Sequence, residues 1–390
     1  MPSPTASDSY QPRPEHKFTF GLWTVGRLGG DPWGEPVREK RSPADLVKLI
    51  ADVGAWGVNL HDNDLVPIDA SAAERDKLIR EFKQTCDGEG ITLAMVACNL
   101  FSDPAFRDGA FTSNHADVRA LALQKAMGAL DIGAALGAKI FAFWGGREGV
   151  DSDAAKDPRT SIARLRDAID FLCEYSRDQD YGYRIALEAK PNEPRGVLYF
   201  PVTASYLGFI PTLAHPEMVG VNPEVAHEIM AGLNPCDSVA QALDAGKLFH
   251  IDLNDQRPGR FDEDLRFASA NPRTAFRVVK VLEDAGYDGP RHFDAHAYRT
   301  SDYDGVRTFA AGCIRNYLIL KERAARWNGD ERIRELLEQA TDRNKVLGPF
   351  TKENARALRA RQFDRAALAV RKSADEALDQ RTVEILLGVP

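Results

Sequence analysis

Short apolar runs alternate with longer segments in which apolar residues recur at helical spacing, and this alternation continues over most of the chain. Apolar runs of a few residues are typical of buried strands, whereas a period near 3.6 residues is typical of helices. The runs that qualify as strands lie at 18–23, 56–60, 91–98, 139–144, 184–188, 218–222, 248–253 and 291–294. Because eight alternating strand and helix units close into a barrel of parallel strands, the pattern predicts a (β/α)8 TIM barrel of the α/β class.

Capping residues mark the starts of several predicted helices. Ser42 is a typical N-cap, and Ser71 with Glu74 has the spacing of a capping box. The helix predicted at 203–213 contains Pro211, which removes a backbone donor. We therefore expect that helix to be short or kinked.

The chain beyond about residue 327 has a different pattern. No further strand is predicted, and short helices with charged faces follow at 331–340, 351–361, 364–370 and 373–387. Such a tail cannot form a core alone, so it is either disordered or packed on another subunit. An apolar stripe at Val383, Leu386 and Leu387 favours packing. The sequence therefore predicts a barrel domain over 1–327 and a C-terminal helical arm over 328–390.

The composition is ordinary for a globular enzyme, with 390 residues of which 44% are hydrophobic and 28% charged. A net charge of −8 argues against nucleic acid as a partner, because an acidic surface repels phosphates. Five scattered cysteines without CxxC spacing predict neither a disulfide framework nor a thiolate zinc site, and they suit a reducing compartment. Since no segment has the pattern of a membrane span or a leader, we expect a cytoplasmic protein without a membrane partner.

Acidic and histidine side chains follow four consecutive predicted strands. These potential ligands are Glu188, Glu224, His227, Asp252, Asp262, Asp264 and Asp294. In barrels of this kind, functional residues meet at the carboxyl ends of the strands. Carboxylates at this density need protons or cations, and oxygen donors with one imidazole suit Mg²⁺ or Mn²⁺ better than zinc or copper. Because the acids are too many for one octahedral ion, the set predicts two cations.

Each of these residues also has an ordinary structural interpretation. An aspartate after a strand is usually a helix N-cap, and the acidic segment 262–264 alone would be a solvated loop. His227 alone would be a hydrogen-bonded core or interface histidine. The metal interpretation depends on the joint pattern, because caps and surface loops have no reason to favour the ends of these strands.

Candidate catalytic residues stand near the predicted ligands. His61 and Asp64 follow the second strand, where a carboxylate beside an imidazole would make a general base. The alternative is a turn stabilised by polar neighbours. Lys190 would polarise a substrate oxygen, or else it neutralises Glu188.

Three aromatic residues close predicted strands or begin the following loops. They are Trp23, Phe101 and Trp144. At a barrel mouth such rings would form apolar walls that stack on sugar faces and exclude water. The alternative for each is ordinary core packing.

Several longer segments match a known pattern. They are FTFGLWTVG at 18–26, HDND at 61–64, NLF at 99–101, WGGREG at 144–149, KPNEPRG at 190–196, GVNPE at 220–224, FHIDLN at 249–254 and RHFD at 291–294. With these segments the chain resembles the xylose isomerase family, specifically its shorter, actinobacterial-type class. The resemblance runs from about residue 10 to about residue 327 and is loose in the tail.

The resemblance implies a barrel whose helical arm embraces a neighbour, usually in a homotetramer. It also implies two divalent cations per subunit, Mg²⁺, Mn²⁺ or Co²⁺. The ligands it implies for the structural cation are Glu188, Glu224, Asp252 and Asp294, and those for the second cation are Glu224, His227, Asp262 and Asp264. Glu224 would bridge the two.

The implied reaction interconverts D-xylose and D-xylulose, and D-glucose and D-fructose. His61, oriented by Asp64, would open the sugar ring, and Lys190 would hold the carbonyl oxygen. A hydride would then move between C1 and C2 with metal assistance. The substrate-binding residues that the resemblance implies are Trp23, Trp33, Phe101 and Trp144. Trp33 matches a position that reaches in from the neighbouring subunit.

The chain departs from the family pattern close to the predicted pocket. The departing positions are Leu60, Asn63, Ala97, Ala142, Ala189 and the run 295–298, which includes His296. Ala97 and Ala142 stand where a threonine and a valine are common, so both should enlarge the cavity. We therefore hypothesise a widened or shifted sugar preference, toward hexoses.

Other functions fit parts of the pattern. A nuclease that cuts at abasic DNA sites would want more histidines and a basic face. A related epimerase would usually be shorter and lack the arm. A sugar-binding barrel with reduced activity is the third alternative, although the intact ligands with His61, Asp64 and Lys190 argue against it.

Overall fold

Parallel strands form the main sheet in the computed structural model, which describes residues 10–340 and 348–389. The strands are β1 Phe18–Gly21, β2 Gly57–His61, β3 Thr92–Ala97, β4 Ile140–Trp144, β5 Gly149–Val150, β6 Arg184–Glu188, β7 Val197–Leu198, β8 Val219–Val221 and β9 Arg291–Phe293. Seven of them pair in the order β8-β6-β4-β3-β2-β1-β9, all parallel, while β5 and β7 form a separate antiparallel pair.

The segment 248–253 closes the sheet between β8 and β9, although it is not a regular strand. Leu248 bridges Val221, and Asp252 bridges His292 on the other side. Phe249 and His250 both donate to the Val221 carbonyl, so the regular ladder is interrupted there. The predicted eight-unit barrel is therefore confirmed, but two details of its strands were wrong: the seventh is irregular, and residues 22 and 23 of the first lie in a short helix.

Helices follow the strands around the first of two compact units, 1–319. Those that begin in this unit are α1 Leu22–Val25, α2 Pro43–Asp52, α3 Asp62–Leu65, α4 Ala72–Glu89, α5 Ala116–Leu136, α6 Pro158–Asp178, α7 Thr203–Phe209, α8 Val225–Met230, α9 Pro235–Asp244, α10 Pro272–Asp284 and α11 Tyr303–Gly329.

The predicted helix starts are confirmed at two serines. Ser42 accepts from the backbone N–H of Asp45, and Ser71 accepts from that of Glu74, each at 3.2 Å. The second contact is the serine half of the predicted capping box. Helix α7 gives way after Phe209 to a 3-10 turn that contains Pro211, so the expected short helix is also confirmed.

The core has two layers because the strands are buried on both faces. Outside the sheet, Phe18 and Phe20 of β1 pack on Phe293 of β9, and Phe18 also contacts Tyr317 of α11. Inside the barrel lies a cluster of smaller side chains: Met95, Ala97, Ile140, Ala142, Ala186 and Phe249, with Trp23 packed against it. This inner cluster supports the functional site.

The second unit, 320–390, contains the helices that the tail pattern predicts. They are α12 Glu331–Ala340, α13 Lys352–Ala360, α14 Arg365–Ala369 and α15 Asp375–Leu386. Helix α12 contacts α15, and Arg381 pairs with Asp330 at 2.7 Å. Leu387 from the predicted stripe is exposed, and packing on a neighbouring subunit stays a prediction. Over 10–340 and 348–389, no helix combines the length and apolar character needed to cross a membrane.

Candidate active site

A cavity of about 340 Å³ opens at the carboxyl ends of the barrel strands. Of the residues predicted for the site, those that line it are Trp23, His61, Asp64, Phe101, Trp144, Glu188, Lys190, Glu224, His227, Asp252, Asp262, Asp264 and Asp294. Side chains that are far apart in sequence meet here because parallel strands present their carboxyl ends to one mouth.

Trp33 is the predicted site residue that the fold does not bring to this cavity. Its side chain is 92% exposed, in a loop where Asp31 and Gly34 form a small bridge. The role expected for Trp33 concerns the pocket of a neighbouring subunit, so it stays a prediction.

The carboxylates and the histidine form overlapping groups with metal-ligand spacing. In each group the ligand atoms lie within 4.8 Å of one another. The groups are Glu188 with Glu224 and His227, Glu224 with Asp252 and Asp294, and Glu224 with Asp262 and Asp264. Glu224 belongs to all of them, so its carboxylate lies at the centre of the cluster.

The electrostatics of the cluster are those of crowded acids. Burial raises the pKa of Glu188, Glu224 and Asp264 well above the usual range, and nearby carboxylates raise it further. Burial, reinforced by the charge of Asp252, raises the pKa of Asp294 to about 7. A cation at this position would relieve both the repulsion and the loss of hydration.

Two aspartates are exceptions because they have direct partners. Burial opposes ionisation of Asp252 and Asp262, yet the pKa of each lies below its usual value. Contact with the adjacent His250 ring lowers the pKa of Asp252, while contacts with His227 and Lys190 lower that of Asp262. The cluster therefore contains both carboxylates that resist ionisation and carboxylates that are held ionised.

The ring of His227 is oriented like that of a metal ligand. Its Nδ1 lies 2.9 Å from the carbonyl oxygen of Ala189, which can only accept, so Nδ1 carries a proton. In the neutral ring Nε2 then has its lone pair free. That atom lies 3.2 Å from Glu224 Oε1 and 3.2 Å from Asp262 Oδ2. A backbone carbonyl that fixes the tautomer is a common support for a metal-binding histidine.

The donors fit divalent cations with oxygen preference. Oδ1 of Asp252 and Oδ1 of Asp262 are buried and have no hydrogen-bond partner among the described residues. Buried carboxylate oxygens are costly without a partner, and a hard cation would supply one. The residues that would hold two such ions are those of the overlapping groups.

His61 and Asp64 lie together on the other side of the cavity. Asp64 Oδ2 accepts the backbone N–H of His61 at 2.8 Å and stands 3.5 Å from the imidazole Nδ1. Burial would lower the pKa of His61, but hydrogen bonding and charge from Asp64, with Asp294 and Asp62, raise it above the ordinary value. The ring is therefore more basic than a free histidine.

Lys190 is paired with a different acid from the one considered in the sequence. Its Nζ lies 2.5 Å from Asp262 Oδ2 and 3.5 Å from Glu193 Oε2. Burial would lower the pKa of Lys190, yet the surrounding acids, Asp262 foremost, raise it above the usual range. The lysine is thus a fixed cation at the edge of the acidic cluster.

Aromatic rings form the wall next to His61. Its ring centroid lies 4.4 Å from that of Trp23 and 5.6 Å from that of Phe101, and Phe101 meets Trp144 edge to face at 4.5 Å. Gly21 permits the Trp23 position, because a Cβ there would stand 2.6 Å from the indole. The indole Nε1 donates to Asp294 Oδ1 at 2.8 Å, so this wall is joined to the acids.

Several residues that line the cavity have no sequence pattern that marks them as site residues. Arg27, Met95 and Asn99 also face the cavity. Arg27 lies shortly after the first predicted strand, where no pattern of charged residues marks it as part of a site. Met95 has the pattern of a core residue. Among the positions that depart from the family pattern, Ala97 and Ala142 line the cavity, whereas Leu60, Asn63, Ala189 and His296 do not.

Known proteins resemble this chain in sequence and fold. Residues 47–313 match a family model described as a xylose isomerase-like TIM barrel. A xylose isomerase from Thermus thermophilus is 54% identical over 384 residues, and one from Thermus caldophilus is 51% identical; each match covers 97% of this chain and 99% of the relative.

Solved structures add evidence on the fold. A D-tagatose 3-epimerase-like protein has a TM-score of 0.59 at 17% identity, with 79% of this chain and 99% of that chain covered. A xylose isomerase domain protein from Alicyclobacillus acidocaldarius has a TM-score of 0.57 at 16% identity, with 78% and 99% covered. These likenesses show the barrel alone. The family model and the extensive sequence identity show that the chain belongs to the xylose isomerase family.

Proposed function

We propose that the protein is a metal-dependent aldose–ketose isomerase that interconverts D-xylose and D-xylulose, and D-glucose and D-fructose. The observation that carries this proposal is the convergence of the ligand groups, His61 and Lys190 on one cavity. The cavity joins an acidic side to an aromatic side, as a site for a polyhydroxylated substrate requires.

The reaction begins with ring opening. His61, whose basicity Asp64 raises, takes the proton of the C1 hydroxyl and returns a proton to the ring oxygen. Trp23 and Phe101 hold the sugar face against this base and keep bulk water away. The open aldehyde then lies between the aromatic wall and the acids.

The isomerisation conserves the atoms of the sugar. A hydride leaves C2, which becomes the ketone carbon, and arrives at C1, which is reduced; a proton passes from O2 to O1. No outside oxidant is required. Lys190 donates a hydrogen bond to the carbonyl oxygen and stabilises its developing charge. When bound, divalent cations supply electrostatic stabilisation of negative charge on O1 and O2.

The cation sites would follow the division that the family suggests. Glu188, Glu224, Asp252 and Asp294 would hold one Mg²⁺, Mn²⁺ or Co²⁺, and Glu224, His227, Asp262 and Asp264 would hold the other. The same proposal includes membership of the actinobacterial-type class and a cytoplasmic location. It also includes a homotetramer in which the arm over 328–390 packs on a neighbouring subunit and Trp33 completes the pocket of that neighbour.

A substrate panel tests the function. The purified protein is incubated with Mg²⁺ and with xylose, glucose and other aldoses, and the products are separated by chromatography. We expect ketose products that disappear with EDTA and return when Mg²⁺ is restored in excess. Absence of product from every aldose, with two cations bound, would instead support a sugar-binding barrel.

The same panel separates the remaining alternatives. A ketose epimer formed from a ketose substrate would indicate an epimerase, and cleavage of an abasic oligonucleotide would indicate a nuclease. The ligand cluster contains one histidine, His227, beside six carboxylates, which favours the isomerase over the nuclease.

The sugar preference is tested at Ala97 and Ala142. Both line the cavity, so the double variant Ala97→Thr, Ala142→Val fills space that a longer sugar would use. We expect the ratio of kcat/KM for glucose to that for xylose to fall about tenfold, since one methylene in a pocket is worth 10–200-fold. Xylose is the internal control, and an unchanged ratio would overturn the hypothesis.

A further inference from the structure

Two buried asparagines lie behind the carboxylate cluster, and neither takes part in the chemistry described above. Asn222 is 0% exposed and Asn254 is 1% exposed, and neither lines the cavity. A buried amide has two N–H donors and one oxygen acceptor, all of which need partners. The partners of each asparagine therefore indicate what it does.

Asn222 connects two acids that stand on different strands. Its Nδ2 lies 2.6 Å from Asp252 Oδ2 and 3.3 Å from Glu188 Oε2. Ionised carboxylate oxygens only accept hydrogen bonds, so the amide nitrogen of Asn222 faces them. Each of its N–H groups can then donate to a different carboxylate. The amide thus sets the spacing between Glu188 and Asp252.

His250 holds that amide in place. Its Nδ1 lies 2.9 Å from Asn222 Oδ1 and 3.2 Å from Asp252 Oδ1. Because Asn222 Oδ1 is an acceptor, the Nδ1 atom of His250 carries a proton. The ring is fully buried, so it has little freedom to release the amide.

Asn254 connects a different pair of acids. Its Nδ2 lies 2.7 Å from Glu224 Oε1, 2.8 Å from the backbone carbonyl oxygen of Asp294 and 3.3 Å from Asp264 Oδ1. The two shorter contacts take its two N–H groups, and Asp264 is the more distant neighbour. Its Oδ1 accepts the backbone N–H of Ala226 at 2.8 Å. A backbone N–H can only donate, which fixes the amide orientation independently of the acids.

A neutral donor is well suited to this position. A lysine or arginine would also hold two carboxylates, but its charge would oppose a cation bound to them. An amide satisfies one oxygen of each acid and leaves the full negative charge available. The two asparagines also contact different acids, since none of the hydrogen bonds described for Asn222 reaches Glu224 or Asp264.

We propose that Asn222, held by His250, is a positioning residue for the cation whose ligands include Glu188 and Asp252, and that Asn254 is a positioning residue for Glu224, the ligand that both cations share. This inference rests on the proposed function only for the division of the ligands between two cations. Asn222 fixes Glu188 relative to Asp252, while Asn254 fixes Glu224 relative to the backbone of Asp294.

Calorimetric titration of the metal-free full-length protein with Mn²⁺ tests the proposal without any turnover. We expect Asn222→Leu, which keeps the side-chain size, to weaken one of the two sites about ten- to a hundredfold. Asn254→Leu should weaken both sites by a similar factor, because Glu224 belongs to the ligand sets of both cations. His250→Leu should reproduce the effect of Asn222→Leu.

Conservative replacement and a matched asparagine separate positioning from a general loss of structure. His250→Asn can still present an N–H to Asn222, so it should retain Mn²⁺ affinity much better than His250→Leu. Asn316→Leu removes a single bond to the Phe267 carbonyl, away from the acids, and should leave both affinities as in the original protein. If Asn222→Leu does not fold, the two His250 variants make the same comparison.

Two results would overturn the proposal. One is that Asn222→Leu and Asn254→Leu each change both affinities by less than twofold, and the other is that Asn254→Leu weakens only one of the two sites. Failure of the proposed function is distinguishable, because it would show as two tightly bound Mn²⁺ ions without ketose formation. In that case the positioning roles would still be supported by the titration.

Discussion

Strands β6, β8 and β9 and the segment 248–253 supply carboxylates to the cavity, whereas β1 to β4 supply aromatic rings and His61. The acidic side is organised by hydrogen bonds, with amides and a histidine behind the acids. The aromatic side is organised by ring contacts. The comparison teaches that the acidic side leaves buried carboxylate oxygens that cations would satisfy, whereas the aromatic side is held together by contacts between its own rings.

The largest effect should come from Glu224, which belongs to every metal-ligand group. We expect Glu224→Gln to lose bound metal and to reduce kcat/KM for xylose about 10³-fold or more, since metal-based charge stabilisation contributes several kcal/mol. Metal content and isomerisation rate are measured on the same preparation. If this variant kept both cations and its activity, the acidic side would not depend on Glu224.

Glu228→Gln is the matched control for that change. Glu228 is also buried and lies one turn along α8, but its carboxylate accepts from the Thr203 N–H and the Ser238 hydroxyl. Its substitution should leave metal content unaltered, which would separate the loss of a ligand from the loss of a buried charge.

The second effect concerns His61. We expect His61→Asn to lower kcat/KM for cyclic aldoses about 10²- to 10⁴-fold, because a general base is removed, while cation affinity stays as it was. An aldose too short to form a ring, such as glyceraldehyde, should lose much less. Equal losses for both substrates, measured under the same Mg²⁺ concentration, would show that His61 does not act in ring opening.

The smallest effect should come from the aromatic side alone. Phe101→Leu removes an edge-to-face contact with Trp144 worth about 0.5–1.5 kcal/mol, so kcat/KM should fall about two- to tenfold. Mn²⁺ affinity should not change. Phe111→Leu, which breaks a stacked pair with Phe143 outside the cavity, is the control and should affect thermal stability rather than kcat/KM. A change in metal affinity for Phe101→Leu would contradict the division between the two sides.

The sequence predicts most of the fold because the relevant signals are local. A buried strand such as β6 is an apolar run, and a helix start such as that of α2 is marked by Ser42. The irregular seventh strand is different. Whether 248–253 forms a ladder depends on two N–H groups that share the Val221 carbonyl, and this pairing is set by residues distant in sequence.

The candidate site is predictable to the level of which residues converge, but not how they are paired. Lys190 was considered as a partner of Glu188, whereas the fold brings it to Asp262, 72 positions away. Asn222 and Asn254 have the pattern of ordinary residues at strand ends. Their contacts with acids on other strands depend on barrel register, which no local pattern encodes.

One hydrogen bond between the aromatic side and the acidic side shows which parts of the chain must meet before the site is complete. Trp23 donates to Asp294, 271 positions later, where the first strand β1 pairs with the last strand β9. A chain emerging during synthesis therefore cannot assemble the complete site until its final barrel strand has docked. Closure of the barrel and completion of the ligand set therefore depend on the same strand. Cation binding would thus stabilise the chain whose barrel is closed, and would stabilise an incomplete chain very little.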